Sequence, residues 1–385
     1  MRSAKAISPH DAAPHPRSFI ASAPDAVLFS VVGILISLGL LMIFSASSAT
    51  AYATHHDSAY YLKRQLVWLL VALPCAFCAY RCNYRSLKKL APLGLFLSLL
   101  ALLAVLVPHV GVIAGGARRW IAIGPLSFQP SEVAKLGLIV YLAAALSSHT
   151  GRITSLTRGI FALCVPLFVM VVLVLREPDM GTATLLALTA FTMFFIAGAR
   201  IPHLFAVILA TVPFVVLSVF SSSYKRARIL AFVDPWKDPQ NTGFHIVQSL
   251  LALGSGGLFG VGLGASRAKF FYLPEQYTDF IFAILGEELG LIGAACVVAL
   301  FVILAHRGIR IALGAPDRFG FFLAAGCVAL IVIQAFINIG VVTSSWPVTG
   351  VPLPFVSFGG SSLVVNLVAV ALLINIGRHR RISAA

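Results

Sequence analysis

Charged side chains are scarce in this sequence, making up 11% of its 385 residues, whereas 59% are hydrophobic and the mean hydropathy is +0.96. A soluble domain carries roughly 25% charged residues, so a globular protein in water is excluded. Acidic residues are the scarcer sign: there are 13, against 28 Lys and Arg, and the net charge is +15. In so apolar a chain, this excess indicates membrane topology and contact with anionic lipid rather than nucleic-acid binding.

Cysteine is also scarce, and of the six present only Cys75 and Cys78 have the spacing of a redox or metal pair. No His or carboxylate accompanies them in their apolar run, so we interpret them as small core residues. A cleaved signal peptide is not expected, because the first apolar run is longer than a signal h-region and follows a long polar leader.

What the sequence does have is ten apolar runs, each about as long as the 17–25 residues that cross a bilayer. Backbone groups in lipid must be satisfied internally, so each run is predicted to be a helix. The runs are 26–48, 65–81, 90–108, 132–148, 159–175, 180–198, 202–221, 279–305, 319–342 and 355–376. This predicts an all-α polytopic membrane protein with ten transmembrane helices. A single membrane domain would cover 26–377, between a disordered tail at 1–25 and a basic tail at 378–385.

The distribution of Lys and Arg predicts the orientation. If the N-terminus is cytoplasmic, 16 of the 28 lie in inner segments and 5 in the short outer loops. Since positive charge collects in cytoplasmic loops, both termini are predicted to be cytoplasmic. The long segment 222–278, between predicted helices 7 and 8, is then outside. Its stretch "SGGLFGVGLGAS" follows no strand, so it is not a nucleotide-binding loop; we predict a flexible lid over a cavity.

Acidic residues collect at the outer side in this orientation, and ionisable groups at membrane helices are functional candidates. Glu132 and Lys135 are three residues apart near the start of predicted helix 4, so they share a face. Asp279 begins predicted helix 8 at a similar depth, and an ion pair between Lys135 and Asp279 is predicted. A purely structural salt bridge is the alternative. Further in, at least one of Glu287 and Glu288 must face the bundle interior or a wet cavity.

Several long motifs occur in a characteristic order: "RRWIAIGPLSFQPSEVAKL", "EPDMGT", "GSGGLFGVGLGASRAKFFYLPEQYTDFIFAILGEELG" and "PVTGVPLPFVSFGGSS". Together they resemble the SEDS family of bacterial shape, elongation, division and sporulation proteins. The "EPD" and "VTGVPLPFVS" motifs resemble the FtsW-type division branch rather than the elongation branch, and they do not exclude a sporulation relative. Tyr277 and Phe358 depart from the division pattern, where His and Tyr are usual.

The resemblance implies a peptidoglycan glycosyltransferase that polymerises lipid II at the outer face of the cytoplasmic membrane. It implies that Asp279 is the essential carboxylate, and that Glu132 and Lys135 are supporting residues. The chemistry agrees, because the attacking sugar hydroxyl needs a base and the departing pyrophosphate needs positive charge. Arg is well suited to phosphate. The candidates for pyrophosphate or sugar binding are Arg118, Arg119, Arg267 and Lys269. Carboxylates near a phosphate permit a divalent cation without requiring one.

The resemblance also implies partners: a class B penicillin-binding transpeptidase and other membrane proteins of the division septum, where the chain would be located. Two other functions stay open at this stage. A lipid II flippase would use buried charges as a polar path, although we see no paired hydropathy repeat typical of many transporters. A non-catalytic divisome scaffold would tolerate the loss of Asp279.

Overall fold

The computed structural model describes residues 25–114, 117–124, 126–148, 156–220, 223–270 and 273–379. Helices dominate this part of the chain and a small sheet interrupts them. The elements are α1 (Ala26–His55), α2 (Tyr60–Arg81), α3 (Tyr84–Leu106), β1 (Gly111–Ala114), β2 (Ala117–Ile123), β3 (Leu126–Phe128), α4 (Pro130–Ser148), α5 (Ala162–Arg176), α6 (Met180–Ile196), α7 (Ile201–Phe220), α8 (Ser223–Val233), α9 (Phe244–Gly256), α10 (Ile281–Leu313), α11 (Arg318–Val342) and α12 (Gly360–Arg378).

All ten apolar runs correspond to helices, so the described chain is mostly helical, and a small sheet departs from the predicted all-α class. Among the described residues, eight helical segments are long and apolar enough to cross a membrane. They are α1 to α4, the segment Gly159–Arg176 that contains α5, and α10 to α12. The runs at 180–198 and 202–221 correspond to α6 and α7. Their apolar helical segments, Met180–Ile196 and Ile201–Pro213, are shorter than the eight spans. The chain is therefore a multi-pass membrane protein. The predicted tails lie almost wholly outside the described residues.

The centre of the bundle is formed by α11 and α12, whose side chains are buried over most of their length. Around them, α2 packs on α12, α3 on α4, and α10 on both α9 and α11. At one end of the bundle Asp25 caps α1 by accepting from the Leu28 N–H at 3.0 Å, and pairs with Arg307 of α10 at 2.9 Å. The start of α1 and the end of α10 therefore lie on the same side.

The segment before α4 is ordered by a three-stranded antiparallel sheet in the order β1-β2-β3. Val112 pairs with Trp120, and Ile121 pairs with Phe128. The register of the sheet shifts between Val112 and Ile113, so β1 carries one irregularity. Pro130 then opens α4, a position where its missing N–H costs nothing. The sheet fixes where β2 presents its two arginines.

A break in α10 is the largest departure from the sequence prediction, which had this helix continuous. Gly290 has φ 68° and ψ −170°, a conformation that only glycine adopts readily. The backbone around the break pairs with the preceding loop: Val261 and Gly262 donate to the carbonyls of Glu287 and Glu288 at 3.0 and 3.1 Å. Leu291 N–H donates to the carbonyl of Gly257 at 2.9 Å.

This pairing explains how an irregular backbone is tolerated at membrane depth, since its polar groups are satisfied within the protein. It also corrects the predicted lid. The residues 257–262 of the glycine-rich stretch are bonded to α10 and fill its break, instead of covering a cavity as a flexible flap. Two helices, α8 and α9, occupy much of the preceding segment. The glycines therefore serve close packing against α10 rather than mobility.

Candidate active site

A buried ion pair lies at the start of α4. Lys135 Nζ is 2.6 Å from a carboxylate oxygen of Glu132, and both side chains are almost completely buried. Lys135 also donates to the side-chain oxygen of Gln334 on α11 at 3.2 Å. The amide nitrogen of Gln334 in turn donates to the Pro352 carbonyl at 2.9 Å. The network therefore ties α4 and α11 to the irregular segment that precedes α12.

Asp279 also lies beside the irregular segment that precedes α12. It precedes α10, which begins at Ile281, rather than belonging to the first turn as predicted. The side-chain nitrogen of Asn338 donates to the backbone oxygen of Asp279 at 2.7 Å and to that of Val351 at 2.8 Å. This clamp fixes Asp279 beside the segment 348–352. The predicted ion pair between Lys135 and Asp279 is absent from this described region, because Lys135 pairs with Glu132 instead.

Arg119 of β2 also lies close to the segment 348–352. Its guanidinium donates to the carbonyl oxygen of Glu177 at 2.7 Å and also to that of Pro178, at the turn between α5 and α6. A Cβ added to Gly350 would stand 3.4 Å from Oδ2 of Asp279 and 4.0 Å from Nη1 of Arg119. The carboxylate and the guanidinium therefore both lie beside Gly350, a residue that has no side chain.

The turn between α5 and α6 contributes two further carboxyl groups. Asp179 caps α6 by accepting from the Thr182 N–H at 2.9 Å, and its other oxygen accepts from the Gln129 side chain at 3.2 Å. Glu177 is completely buried, and within the described residues neither of its carboxyl oxygens has a hydrogen-bond partner. The "EPD" motif is thus one hydrogen-bonded cap and one buried acid.

Burial and the neighbouring charges raise the pKa values of two carboxyl groups at the site. Burial, reinforced by repulsion from Glu275 and Asp179, raises the pKa of Asp279 to about 7, and Arg228 and Arg119 oppose the shift. Burial, with Asp179 adding repulsion, raises the pKa of Glu177 to about 8. Asp279 keeps partial access to solvent. A carboxyl group with a pKa near neutrality suits the transfer of a proton to or from a substrate hydroxyl.

The structure does not bring all predicted site residues to Asp279. Arg118 donates towards the Leu106 carbonyl at the end of α3, at 3.5 Å. Lys269 is buried, lies 3.5 Å from a carboxylate oxygen of Glu288, and donates to the Gly264 carbonyl. The side chain of Arg267 is exposed, while its N–H donates to Glu287 at 2.9 Å. Of the four basic candidates, Arg119 is thus the one seen beside Asp279.

Sequence reasoning missed several contributors to the site. Arg228 of α8 donates to the Val348 carbonyl at 3.2 Å and acts electrostatically on Asp279. In the sequence it was one of several bases in a stretch with the composition of a surface helix. Asn338 and Gln334 were hidden in a long apolar run, where two polar residues four apart on one helix face were the available signal.

Metal ligation was left open by the sequence. Within the described ranges, no three His, Cys, Asp or Glu side chains converge as metal ligands. Asp179 acts electrostatically on both Asp279 and Glu177, but its own oxygens are occupied at the cap of α6.

Comparison with known proteins places the whole chain in one family. A family model described as "Cell cycle protein", covering FtsW, RodA and SpoVE proteins, matches residues 25–382. Stage V sporulation protein E of Bacillus subtilis is 45% identical over 361 residues, which is 94% of this chain and 98% of that protein. The "Probable peptidoglycan glycosyltransferase FtsW" of Geobacter metallireducens is 43% identical over 357 residues, 93% of this chain and 95% of that protein.

Solved structures give the same answer for the fold. One chain, from a study of a peptidoglycan synthase complex that coordinates polymerization and crosslinking, aligns with a TM-score of 0.76 and 31% identity. The alignment covers 92% of this chain and 98% of that chain. The rod shape determining protein RodA of Thermus thermophilus aligns with a TM-score of 0.68 and 30% identity, covering 94% and 99%. The chain therefore belongs to the SEDS family of FtsW, RodA and SpoVE cell cycle proteins.

Proposed function

We propose that the chain is a peptidoglycan glycosyltransferase that polymerises lipid II into glycan strands at the outer face of the cytoplasmic membrane. The observation that carries this proposal is the position of Asp279, a partly accessible carboxyl group with a raised pKa, beside Gly350 and close to Arg119. Family membership supports it, because relatives with about 43% identity bear the name of peptidoglycan glycosyltransferases.

The reaction is an inverting displacement at the anomeric carbon of the donor sugar. Asp279 accepts the proton of the acceptor 4-hydroxyl, whose oxygen forms the new bond to that carbon. The bond from the carbon to the lipid diphosphate breaks, and its electron pair leaves on the diphosphate oxygen. Arg119 and Arg228 stabilise the negative charge that develops there. Because the linkage is inverted from α to β in one step, a second catalytic carboxylate is not required.

The Glu132–Lys135 pair acts through position rather than contact with the reacting atoms. It is completely enclosed and joins α4 through Gln334 to the segment that carries Gly350. Its role is to hold the segment that carries Gly350 in a fixed geometry beside Asp279, as catalysis by preorganised groups demands.

The setting follows from the same proposal. Ten crossings with both termini in the cytoplasm place Asp279, Arg119 and the long segment 222–278 outside, where lipid II presents its sugars. The membrane domain is one unit over 26–377. A class B penicillin-binding transpeptidase is the expected partner, in line with the synthase complex among the structural relatives. The division motifs favour a septal role with other divisome proteins, over an elongation role.

The flippase alternative receives less support from the buried charges. A polar translocation path needs ionisable groups that can exchange partners with a substrate. Instead, Glu287 accepts from backbone N–H groups of the neighbouring loop, and Glu288 is bound by Ser45 and Lys269. A scaffold without catalysis gives no reason for a carboxylate and a guanidinium to lie together beside a glycine.

The test is polymerisation of labelled lipid II by the purified full chain with its transpeptidase. Wild type and Asp279→Asn are compared, and the glycan products are resolved on a gel. Removing a general base is expected to lower the rate about 10²–10⁴-fold. Asp57→Asn is the matched control, because Asp57 pairs with Lys63 on the surface and its loss is expected to leave the rate unchanged. Equal polymer from Asp279→Asn and wild type would overturn the proposal.

A further inference from the structure

A second concave site lies at the end of the bundle opposite Asp279. It is a cavity of about 270 Å³ lined by Arg85, Lys88, Ser147, Asp317, Arg318 and Phe319. These residues come from the start of α3, the end of α4 and the start of α11. Ser147 is 15 residues beyond Glu132 on α4, or about 22 Å along the helix. The cavity is therefore separate from the proposed active site and plays no part in the reaction described above.

The chemistry of this cavity favours an anion. Its lining has three cations, Arg85, Lys88 and Arg318, against the single carboxylate of Asp317. Arg85 and Lys88 are three residues apart on α3, so they share a face. The starts of α3 and α11, which carry partial positive charge from the helix dipole, meet at the cavity, and the end of α4 contributes partial negative charge. Because three cations face one carboxylate, the electrostatic potential in the cavity is positive.

The base of the cavity is preorganised. Asp317 accepts from the Tyr84 hydroxyl at 2.6 Å, from the Gly320 N–H at 2.8 Å and from Nε of Arg85 at 2.9 Å. Tyr84 is itself completely buried. Among the described residues, Asp317 thus contacts the Nε side of the guanidinium and leaves its two terminal amino groups for a second acceptor. A fixed arginine of this kind suits the bidentate binding of a phosphate group.

The surroundings indicate where such a phosphate would come from. Beyond Lys88, the face of α3 that carries Arg85 and Lys88 also exposes Pro92, Phe96 and Leu103, since residues on one helix face recur every three to four positions. An apolar strip on the same helix face as a basic cavity fits a molecule with a phosphate head and an acyl tail. The cavity also lies at the ends of three membrane-spanning helices, the depth of lipid headgroups. Basic cavities between helices at the cytoplasmic side are a known mode of anionic-lipid binding.

From these observations we propose that this cavity, formed by the ends of α3, α4 and α11, is a binding site for the phosphate headgroup of an anionic phospholipid. The acyl chains lie along Pro92, Phe96 and Leu103 of α3. Arg85 and Arg318 bind the phosphate oxygens, and Lys88 contributes charge. Free phosphate shares the headgroup chemistry but makes no use of this apolar strip.

The experiment measures lipid retained by the purified full chain in native mass spectrometry, with phosphatidylglycerol or phosphatidylcholine added to the detergent micelles. The pocket variant is Lys88→Gln with Arg318→Gln, two exposed positions whose change is not expected to disturb folding. The matched control is Lys89→Gln with Arg310→Gln, which removes the same charge from the same side but lies outside the cavity lining. Circular dichroism checks that both variants keep their helices.

We expect wild type to retain phosphatidylglycerol over phosphatidylcholine, the pocket variant to bind it about tenfold more weakly or worse, and the control to match wild type. Lys88→Glu, a charge reversal, is expected to weaken binding further. Equal losses in the pocket and control variants would overturn the proposal in favour of diffuse surface charge. An unchanged pocket variant would also overturn it and would leave an acidic protein segment as the better occupant.

Inorganic phosphate separates the two possible sources of the headgroup chemistry. Millimolar phosphate is expected not to displace the lipid, because phosphate lacks the acyl contacts with Pro92, Phe96 and Leu103. Complete displacement at that concentration would overturn the lipid assignment. None of these readouts depends on glycan synthesis, so failure here leaves the proposed glycosyltransferase function untouched, and the reverse also holds.

Discussion

The carboxylates just before α10 and in its first turns are held in opposite ways. Asp279 is fixed through its backbone oxygen by Asn338, and its side chain remains partly accessible. Glu287 is fixed through its carboxylate, which accepts from the Ser266 hydroxyl and from the N–H groups of Arg267 and Ala268. Glu288 is likewise engaged by Ser45 and Lys269. Carboxylates whose own oxygens are occupied stabilise the fold, whereas one held by its main chain is available for chemistry.

Breaking the buried Lys269–Glu288 pair is expected to give the largest effect on stability. Lys269→Met leaves the Glu288 charge buried without its partner, and such losses cost about 3–5 kcal/mol. The measurement is unfolding of the purified chain in a mixed-micelle denaturant titration. The double variant Lys269→Met with Glu288→Gln is expected to recover most of that stability, because no unpaired charge remains.

Lys63→Met is the control for this prediction. It breaks the Lys63–Asp57 pair, in which the lysine side chain is 66% exposed, and no measurable change is expected. The comparison would be wrong if Lys269→Met kept full stability and only weakened lipid II binding. That result would restore the substrate-binding role that the sequence suggested for Lys269.

The pH dependence of polymerisation is expected to show that Asp279 acts as a base. Its pKa is raised to about 7, and the base form is the deprotonated one. The rate should therefore fall about tenfold per unit as pH drops below 7, and level off above it. The sign for stability is the reverse. A raised carboxyl pKa stabilises the folded protein at low pH, and this contribution is lost as pH rises through 7.

Two variants should move this profile in opposite directions. Glu275→Gln removes the repulsion that helps to raise the pKa of Asp279, so the profile should shift to lower pH. Arg119→Met removes a charge that lowers the pKa, so the profile should shift to higher pH, with a lower plateau rate. Profiles that move together, or not at all, would assign the titration to another group.

The smallest predicted effect is that of adding one methyl group beside Asp279. Gly350→Ala places a methyl group 3.4 Å from Oδ2 of Asp279, an ordinary contact that should not disturb the fold. The added methyl group reduces the space for substrate between the carboxylate and Arg119, so kcat/KM should fall by a few-fold, about 1 kcal/mol in binding. Gly94→Ala, in open space on α3, is the control and should keep the wild-type rate.

The helices were predictable from the sequence because lipid forces every long apolar run to satisfy its own backbone. Asp279, Glu132 and Lys135 were found because charge is costly in such runs. Other features depended on contacts between residues distant in the chain. The Lys135–Glu132 pair excluded Lys135–Asp279, Glu288 engaged Lys269, and the 257–262 segment entered the α10 break. Periodicity and composition report on one stretch at a time, so neither could choose between competing partners.

The break at Gly290 also has a consequence for biogenesis. A helix with an irregular turn exposes unpaired backbone groups to lipid until a partner covers them. Here the covering segment, 257–262, precedes α10 in the chain and is synthesised first. The segment 257–262 is therefore available before the break in α10 is made, so it can pair with the break as soon as α10 enters the bilayer. A circular permutation that moves this segment to the C-terminal side of α10 would reverse the order, and the backbone groups at the break would stay unpaired until the segment is synthesised.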